Sequence, residues 1–261
     1  MYPLNMCAKK LVLLLSMVTA AHVSYARWID ENQADVVIQS INVDIAVNAD
    51  GSSQKITDVI YEIKNESAKR YFKNFAMPYC SGRTKLEVLE ADATTENAHY
   101  AINPVNITQD TLSPPMDGFD GLVQINIPFP KIEIGSTVHL KIKDTTKYGY
   151  LDGAYFANLR IGTSGRITEF WKTATTKIRS QLPLYLHVND PHNVLRVKKD
   201  AGAQTAKTIE IELLRPISSD LSHETNYTCI NPKKYTNITI SSMPSWQDEF
   251  FGAHIQGIHC I

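Results

Sequence analysis

A thiol beside a histidine has the most chemical potential of any arrangement in this chain. A thiolate attacks acyl groups and an imidazole carries the proton. His259 and Cys260 are adjacent. In a helix that spacing turns the two side chains about 100° apart, so they do not face each other. Cys80, in Pro78-Tyr79-Cys80-Ser81-Gly82, falls at a strand–turn junction with no histidine assigned to it. A structural role for Cys80 is the preferred reading. No catalytic residue is assigned; a thiol-dependent hydrolase or acyl transferase using Cys80 or Cys260 is the alternative.

Metal chemistry has weaker footing. His254, His259 and Cys260 give the spacing H-x₄-H-C, which matches no common structural zinc pattern and lacks a fourth ligand. His187 and His192 flank the turn Asn189-Asp190-Pro191 and read as surface residues. Asp110, Asp117 and Asp120 lack the D-x-D-x-D-G spacing of a calcium loop, and Asp-Gly pairs are ordinary turns. No metal or cofactor is expected. Tyr148, Tyr150, Tyr155 and Phe156 either line a face for sugar or peptide or, the preferred reading, pack across strands. Asn65, Asn106, Asn226 and Asn237 begin N-x-S/T triplets, which matter only where an exported chain is N-glycosylated.

Strands must position all of these. Residues 122–142 alternate twice. Val123, Ile125 and Ile127 oppose Gln124 and Asn126; after Pro128-Phe129-Pro130 and a turn at Gly135-Ser136, Val138, Leu140 and Ile142 oppose Thr137, His139 and Lys141. Period two predicts sheets with one dry and one wet face. Residues 36–47 and 56–63 form a hairpin around Asn48-Ala49-Asp50-Gly51. Further strands are expected at 71–77, 85–89, 100–107, 148–161, 168–188, 194–197, 209–214, 227–230 and 236–240, and a loop at 110–121. The fold class is all-β: an antiparallel β-sandwich, as one large unit or two successive halves. A short C-terminal helix is expected, with Ser245 as N-cap and Trp246 and Phe250 on its apolar face.

The chain has 261 residues, 43% of them apolar, and a formal charge of -1. No basic stripe is present, so nucleic-acid binding is not expected. Lys9 and Lys10 precede an apolar run from Leu11 to Val23, shorter than the roughly 20 residues of a membrane span. With Ser24-Tyr25-Ala26 it predicts a signal peptide over residues 1–26, cleaved between Ala26 and Arg27. Periplasmic or secreted location follows, with no stable membrane span after cleavage. Cys80, Cys229 and Cys260 then remain; Cys80–Cys229 is the favoured disulfide, with three free thiols the alternative.

The hairpin Ala49-Asp50-Gly51-Ser52, the block Ile127-Pro128-Phe129-Pro130 followed by Ile134-Gly135-Ser136, and Ser241-Ser242-Met243-Pro244-Ser245-Trp246 resemble the bacterial domain of unknown function 3857, over roughly residues 34–250. The resemblance implies the N-terminal β-sandwich of exported proteins whose next domain is transglutaminase-like, with a Cys–His–Asp site in that next domain. Residues 27–243 would form the sandwich, and 244–261 a helical stub of a downstream domain that the chain lacks, as in a truncated product. The implied function is a non-catalytic module binding or positioning a peptide, a glycan, an envelope protein or a transglutaminase-like partner domain.

Overall fold

The computed structural model describes residues 30–116, 120–147, 151, 153–162, 167–200, 205–218 and 235–244. The signal segment, its Ala26–Arg27 cleavage point, the expected strand at 227–230 and the C-terminal helix lie outside the described residues. So do Tyr148, Tyr150, Asp117, Cys229, His254, His259 and Cys260.

The chain begins with β1 (Val36–Val47) and β2 (Ser53–Ile63), the expected hairpin. Gly51 closes it at φ +80°, and a Cβ there would lie 2.6 Å from the Ala154 carbonyl oxygen. That close approach explains glycine at this turn. Helix α1 (Glu66–Lys73) follows, then β3 (Phe75–Cys80), β4 (Thr84–Thr94), β5 (His99–Ala101), β6 (Thr108–Ser113), β7 (Leu122–Ile127) and β8 (Thr137–Thr146). The second half carries β9 (Phe156–Arg160), β10 (Glu169–Trp171), β11 (Ala174–Asn189), β12 (Leu195–Lys199), β13 (Ala206–Leu213), β14 (Ile217–Ser218) and β15 (Asn237–Ser241).

The fold is predominantly β, as the alternation predicts. The large sheet has the order β12-β13-β11-β1-β2-β8-β4-β5, with β10, β14, β15 and β9 branching from it; a second sheet is β3-β7-β6. Most ladders are antiparallel. The exception is β1, which runs parallel to β10 and β11. Strand β11 spans both parts of the large sheet: residues 174–180 pair with β1, and residues 185–189 pair with β15.

Two cores result. One joins Val59, Val138 and Leu140 of the large sheet to Phe75 and Ile127 of the small one, with Phe72, Phe129 and Ile132 between them. The other joins Ile45, Ile178, Ile209 and Ile211 to Ile238, Ile240 and Tyr155. The corner 128–130 sends β7 into the small sheet and β8 into the large one. Phe129 is fully buried at that corner. The alternating faces read from sequence hold: Val123, Ile125, Ile127, Val138, Leu140 and Ile142 are all buried.

Three local expectations are corrected. Residues 66–73 are a helix, where the sequence reading ended a strand and began another at Tyr71. The Asn65 side chain caps it by accepting from the Ala68 N–H at 3.0 Å. Ala68 and Phe72, four residues apart, are its buried face, and two turns are too short to show a clear helical period. Residues 108–113 are a strand that runs into the loop expected over 110–121; every residue of β6 is exposed, so it shows no dry–wet alternation. The expected strand 100–107 stops at Ala101, and Pro104–Asn106 is a 3-10 turn capped by Asn103.

Candidate functional site

Helix α1 brings an aromatic cluster to the junction of the two sheets. Phe72 stacks on Phe75, with ring centroids 5.2 Å apart and planes at 10°. Tyr71 meets Phe72 and Phe75 edge-on at 5.3 and 5.6 Å, and Tyr61 tilts against Phe72 at 4.9 Å. Edge-to-face and offset contacts of this kind suit the ring quadrupole. The cluster forms one wall of a cleft of about 330 Å³, completed by Ala76, Met77, Pro78, Ile167 and Glu169.

Glu169 is the one acidic group among the described residues that line the cleft. Its Oε2 accepts from the Trp171 indole N–H at 2.9 Å, which orients the carboxylate. Burial first, and the Glu169 charge second, push the Tyr61 hydroxyl far above its ordinary pKa, so it stays protonated. The described lining of the cleft therefore offers apolar faces, two tyrosine hydroxyls and one fixed carboxylate. Among the described residues no thiol, imidazole or amine lines it. It can bind an apolar group and accept a hydrogen bond or a cation beside it; its described residues include no nucleophile–base pair.

The wet face of the large sheet carries most of the remaining charge. Cross-strand neighbours run Arg196, Glu212, Thr175, Asn42, Asp58, Lys141 and Glu90 over seven strands. Opposite signs meet at both ends, with Arg196–Glu212 at 3.1 Å and Lys141–Glu90 at 3.0 Å. Such ladders are how a solvated sheet face is stabilised. Within it, His139 lies between Asp92 (Nδ1 to Oδ2, 2.8 Å) and Asp58 (Nε2 to Oδ1, 3.1 Å).

Both ring nitrogens of His139 face carboxylates, which favours the imidazolium. Partial burial opposes the charge, but the hydrogen bonds and charges of Asp92 and Asp58 outweigh it and raise the pKa. A raised folded pKa adds stability that is complete below the unfolded value of about 6.5 and is lost as pH rises through the folded value. His139→Gln is expected to lose about 1 kcal/mol at pH 5.5 and much less at pH 9. Urea unfolding of both proteins at the two pH values checks this. A deficit that grows with pH would contradict the bridged imidazolium.

The residues singled out by type fare differently. Cys80, at the end of β3, is disulfide-bonded. Its partner lies outside the described residues, as do all three other cysteines. Asp110 accepts from the Asn126 amide at 2.7 Å, and Asp120 pairs with Arg83, so both are structural. His187 is exposed on β11 opposite Thr239. The His192 carbonyl accepts from the Arg215 guanidinium at 2.6 Å. Tyr155 is buried in the second core and Phe156 is exposed. Among the described residues no group of three or more His, Cys, Asp or Glu is arranged to hold a metal, and no helix is long and apolar enough to cross a membrane.

The comparisons fit this β architecture. The family model of DUF3857, described as a "Domain of Unknown Function with solved-structure structure", matches residues 49–218. The chain belongs to the DUF3857 family. The match begins in the β1–β2 turn and ends with β14, so it omits all of β1, a central strand of the large sheet, and β15. No curated protein matches this DUF3857 chain. Among solved structures, a Parabacteroides distasonis protein named a "putative protease" superposes with a TM-score of 0.64 at 15% identity, over 81% of this chain and 41% of that one. An M1 zinc metallopeptidase from Deinococcus radiodurans gives 0.38 at 8% identity, over 80% of this chain and 42% of that one. Leukotriene A4 hydrolase from Saccharomyces cerevisiae gives 0.37 at 12%, over 92% and 33%. The first likeness is one of fold. This chain spans about two fifths of that protein's length.

Proposed function

We propose that this DUF3857 domain is a non-catalytic module of an exported, cell-envelope protein, and that it binds an extended polypeptide through the α1–β3–β10 cleft. The cleft carries the reading. Its aromatic wall suits an apolar side chain, and Glu169 suits a neighbouring amide or basic group. At about 330 Å³ it is at the small end of ligand sites, enough for one anchoring side chain. A glycan would need more polar groups than one carboxylate and two hydroxyls. Residues 1–26 and the disulfide at Cys80 both support an oxidising compartment outside the cytoplasm. Cys229 is the proposed partner of Cys80. A transglutaminase-like domain, which the family resemblance supplies, is the proposed neighbour for which the module positions its ligand.

Titration calorimetry tests the binding role with two probes: an unstructured peptide carrying Phe, Leu and Lys, and a cell-wall glycopeptide fragment. The peptide is expected to bind with a Kd of about 10–100 μM. Tyr71→Ala and Glu169→Gln are each expected to weaken it at least about tenfold, the loss of one good anchor contact. Glycopeptide binding with no peptide binding, or peptide binding that neither substitution changes, sinks the assignment.

A further inference from the structure

A second cleft, of about 290 Å³, opens at the other end of the large sheet. Its polar lining comes from β2, β8, the start of β4 and β9. The two clefts share no lining residue. Lys55 here and Tyr61 there lie on the same strand, roughly 20 Å apart along β2.

This cleft sits where a pattern breaks. On β8 the dry face runs Val138, Leu140 and Ile142, all buried, and the next two residues of that face are Asp144 and Thr146. On β2 the same face carries Val59 and, toward the turn, Lys55 and Ser53. Register sets Lys55 opposite Asp144, and Ser53 and Thr84 on either side of Thr146. On β1 the neighbours of Lys55 and Ser53 are Ile45 and Val47, which belong to the second core, while Val59 and Ile142 belong to the first. Apolar residues at 55 and 144 would join the two cores. The chain instead holds Lys55 and Asp144 there as an ion pair at 2.9 Å, with side chains 44% and 21% exposed. A pair that exposed contributes little to stability. Breaks in pattern without a compensating gain in stability mark functional surfaces.

What the peptide cleft lacks for a sugar, this one has. Its charges are compensated, because Arg83 pairs with Asp120 as Lys55 does with Asp144. Donors and acceptors are mixed: an ammonium, a guanidinium, a carboxylate, the hydroxyls of Ser53, Thr84 and Thr146, and the Asn158 amide. Burial first, and the Asp144 charge second, push the Tyr155 hydroxyl up to about 12, so it stays a donor. On β9 Phe156 and Asn158 are both exposed and two residues apart, which sets an aromatic ring beside an amide on one face of the strand. The volume is at the small end of ligand sites, enough for one ring. We propose that this cleft binds one neutral pyranose ring of a glycan, with the apolar face of the sugar on Phe156 and its hydroxyls on Asp144, Lys55 and the serine–threonine row. Compensated charge favours an uncharged sugar over a sugar acid.

Saturation-transfer NMR on the full chain tests this with the methyl glycosides of glucose, mannose, galactose and N-acetylglucosamine, and with methyl galacturonide as the acidic probe. At least one neutral glycoside is expected to bind with a Kd of about 0.1–5 mM, and more tightly than the galacturonide. Its trisaccharide is expected to bind within about tenfold of the glycoside, since one ring is seated. Asp144→Asn and Phe156→Ala are each expected to weaken binding about tenfold, the loss of one charge-assisted or ring contact. Phe156 is exposed, so Phe156→Ala is expected to keep the parent unfolding midpoint. Tyr71→Ala, in the peptide cleft, is expected to leave sugar binding unchanged, which separates the two sites. No neutral glycoside bound at about 20 mM, a preference for the galacturonide, or exclusion of the trisaccharide overturns the proposal. Sugar binding that Phe156→Ala leaves intact, or that Tyr71→Ala abolishes, overturns it as well.

Discussion

Replacing Phe72 by alanine is expected to destabilise the protein by about 3–5 kcal/mol. Phe72 is fully buried and touches the rings of Tyr61, Tyr71, Phe75 and Phe129. Its removal takes a large apolar group from the first core and leaves a void that this ring cluster cannot close without moving α1. The helix has eight residues, too few to persist in water without packing. Ala68 and Phe72 are its buried contacts, so the substitution frees the helix as well as hollowing the core. Phe72→Leu keeps most of the volume and is expected to lose about half as much or less. Urea denaturation of the two variants beside the parent checks the ordering. A loss under about 1 kcal/mol for Phe72→Ala would mean that the site collapses freely and that the ring cluster does not anchor α1.

The same residue shows where a sequence stops being legible. Tyr71, Phe72 and Phe75 suit a strand by residue type, and a two-turn helix offers too few positions for a helical period to show. The cap at Asn65 was visible in principle, since Asn followed by Glu66 is a helix-start pattern. By contrast β1, β7 and β8 are plain, because each buries one face and its alternation survives in the residue order, and β2 follows from the Asp50-Gly51 turn. Strand β6 has no buried face, and its order carried no signal.

The candidate cleft could not be read from any local spacing. Its lining comes from β2, α1, β3 and β10, and Tyr61 and Glu169 are brought together only by the parallel pairing of β1 with β10 and its antiparallel pairing with β2. His139 was placed on the wet face correctly, but Asp92 and Asp58, 47 and 81 residues away, became its neighbours through register alone. Family membership was legible at the corner after β7 and in the first hairpin, two places where backbone geometry restricts the residues allowed.

Replacing Cys229 by serine is expected to remove about 3–5 kcal/mol of stability, while Cys260→Ser leaves the unfolding transition where it was. The reasoning starts at Cys80. Strand β3 is an edge strand paired with β7 over six residues, and Cys80 is its last residue. Immediately beyond, the Ser81 N–H donates to the Gly121 carbonyl at 2.9 Å and Arg83 binds Asp120, so the bond is anchored in an ordered turn. A link from there to Cys229 closes a loop of about 150 residues, and a loop of that size restricts the unfolded chain strongly. It also ties the C-terminal quarter of the chain to the small sheet, which among the described residues shares no ladder with the large one. Reduction of the parent protein is expected to reproduce the loss, and reduction of Cys229→Ser to add nothing. The converse pattern, a large loss for Cys260→Ser and none for Cys229→Ser, would assign the Cys80 bond to Cys260. It would move the tether from residue 229 to the end of the chain and leave Cys229 as the unpaired thiol.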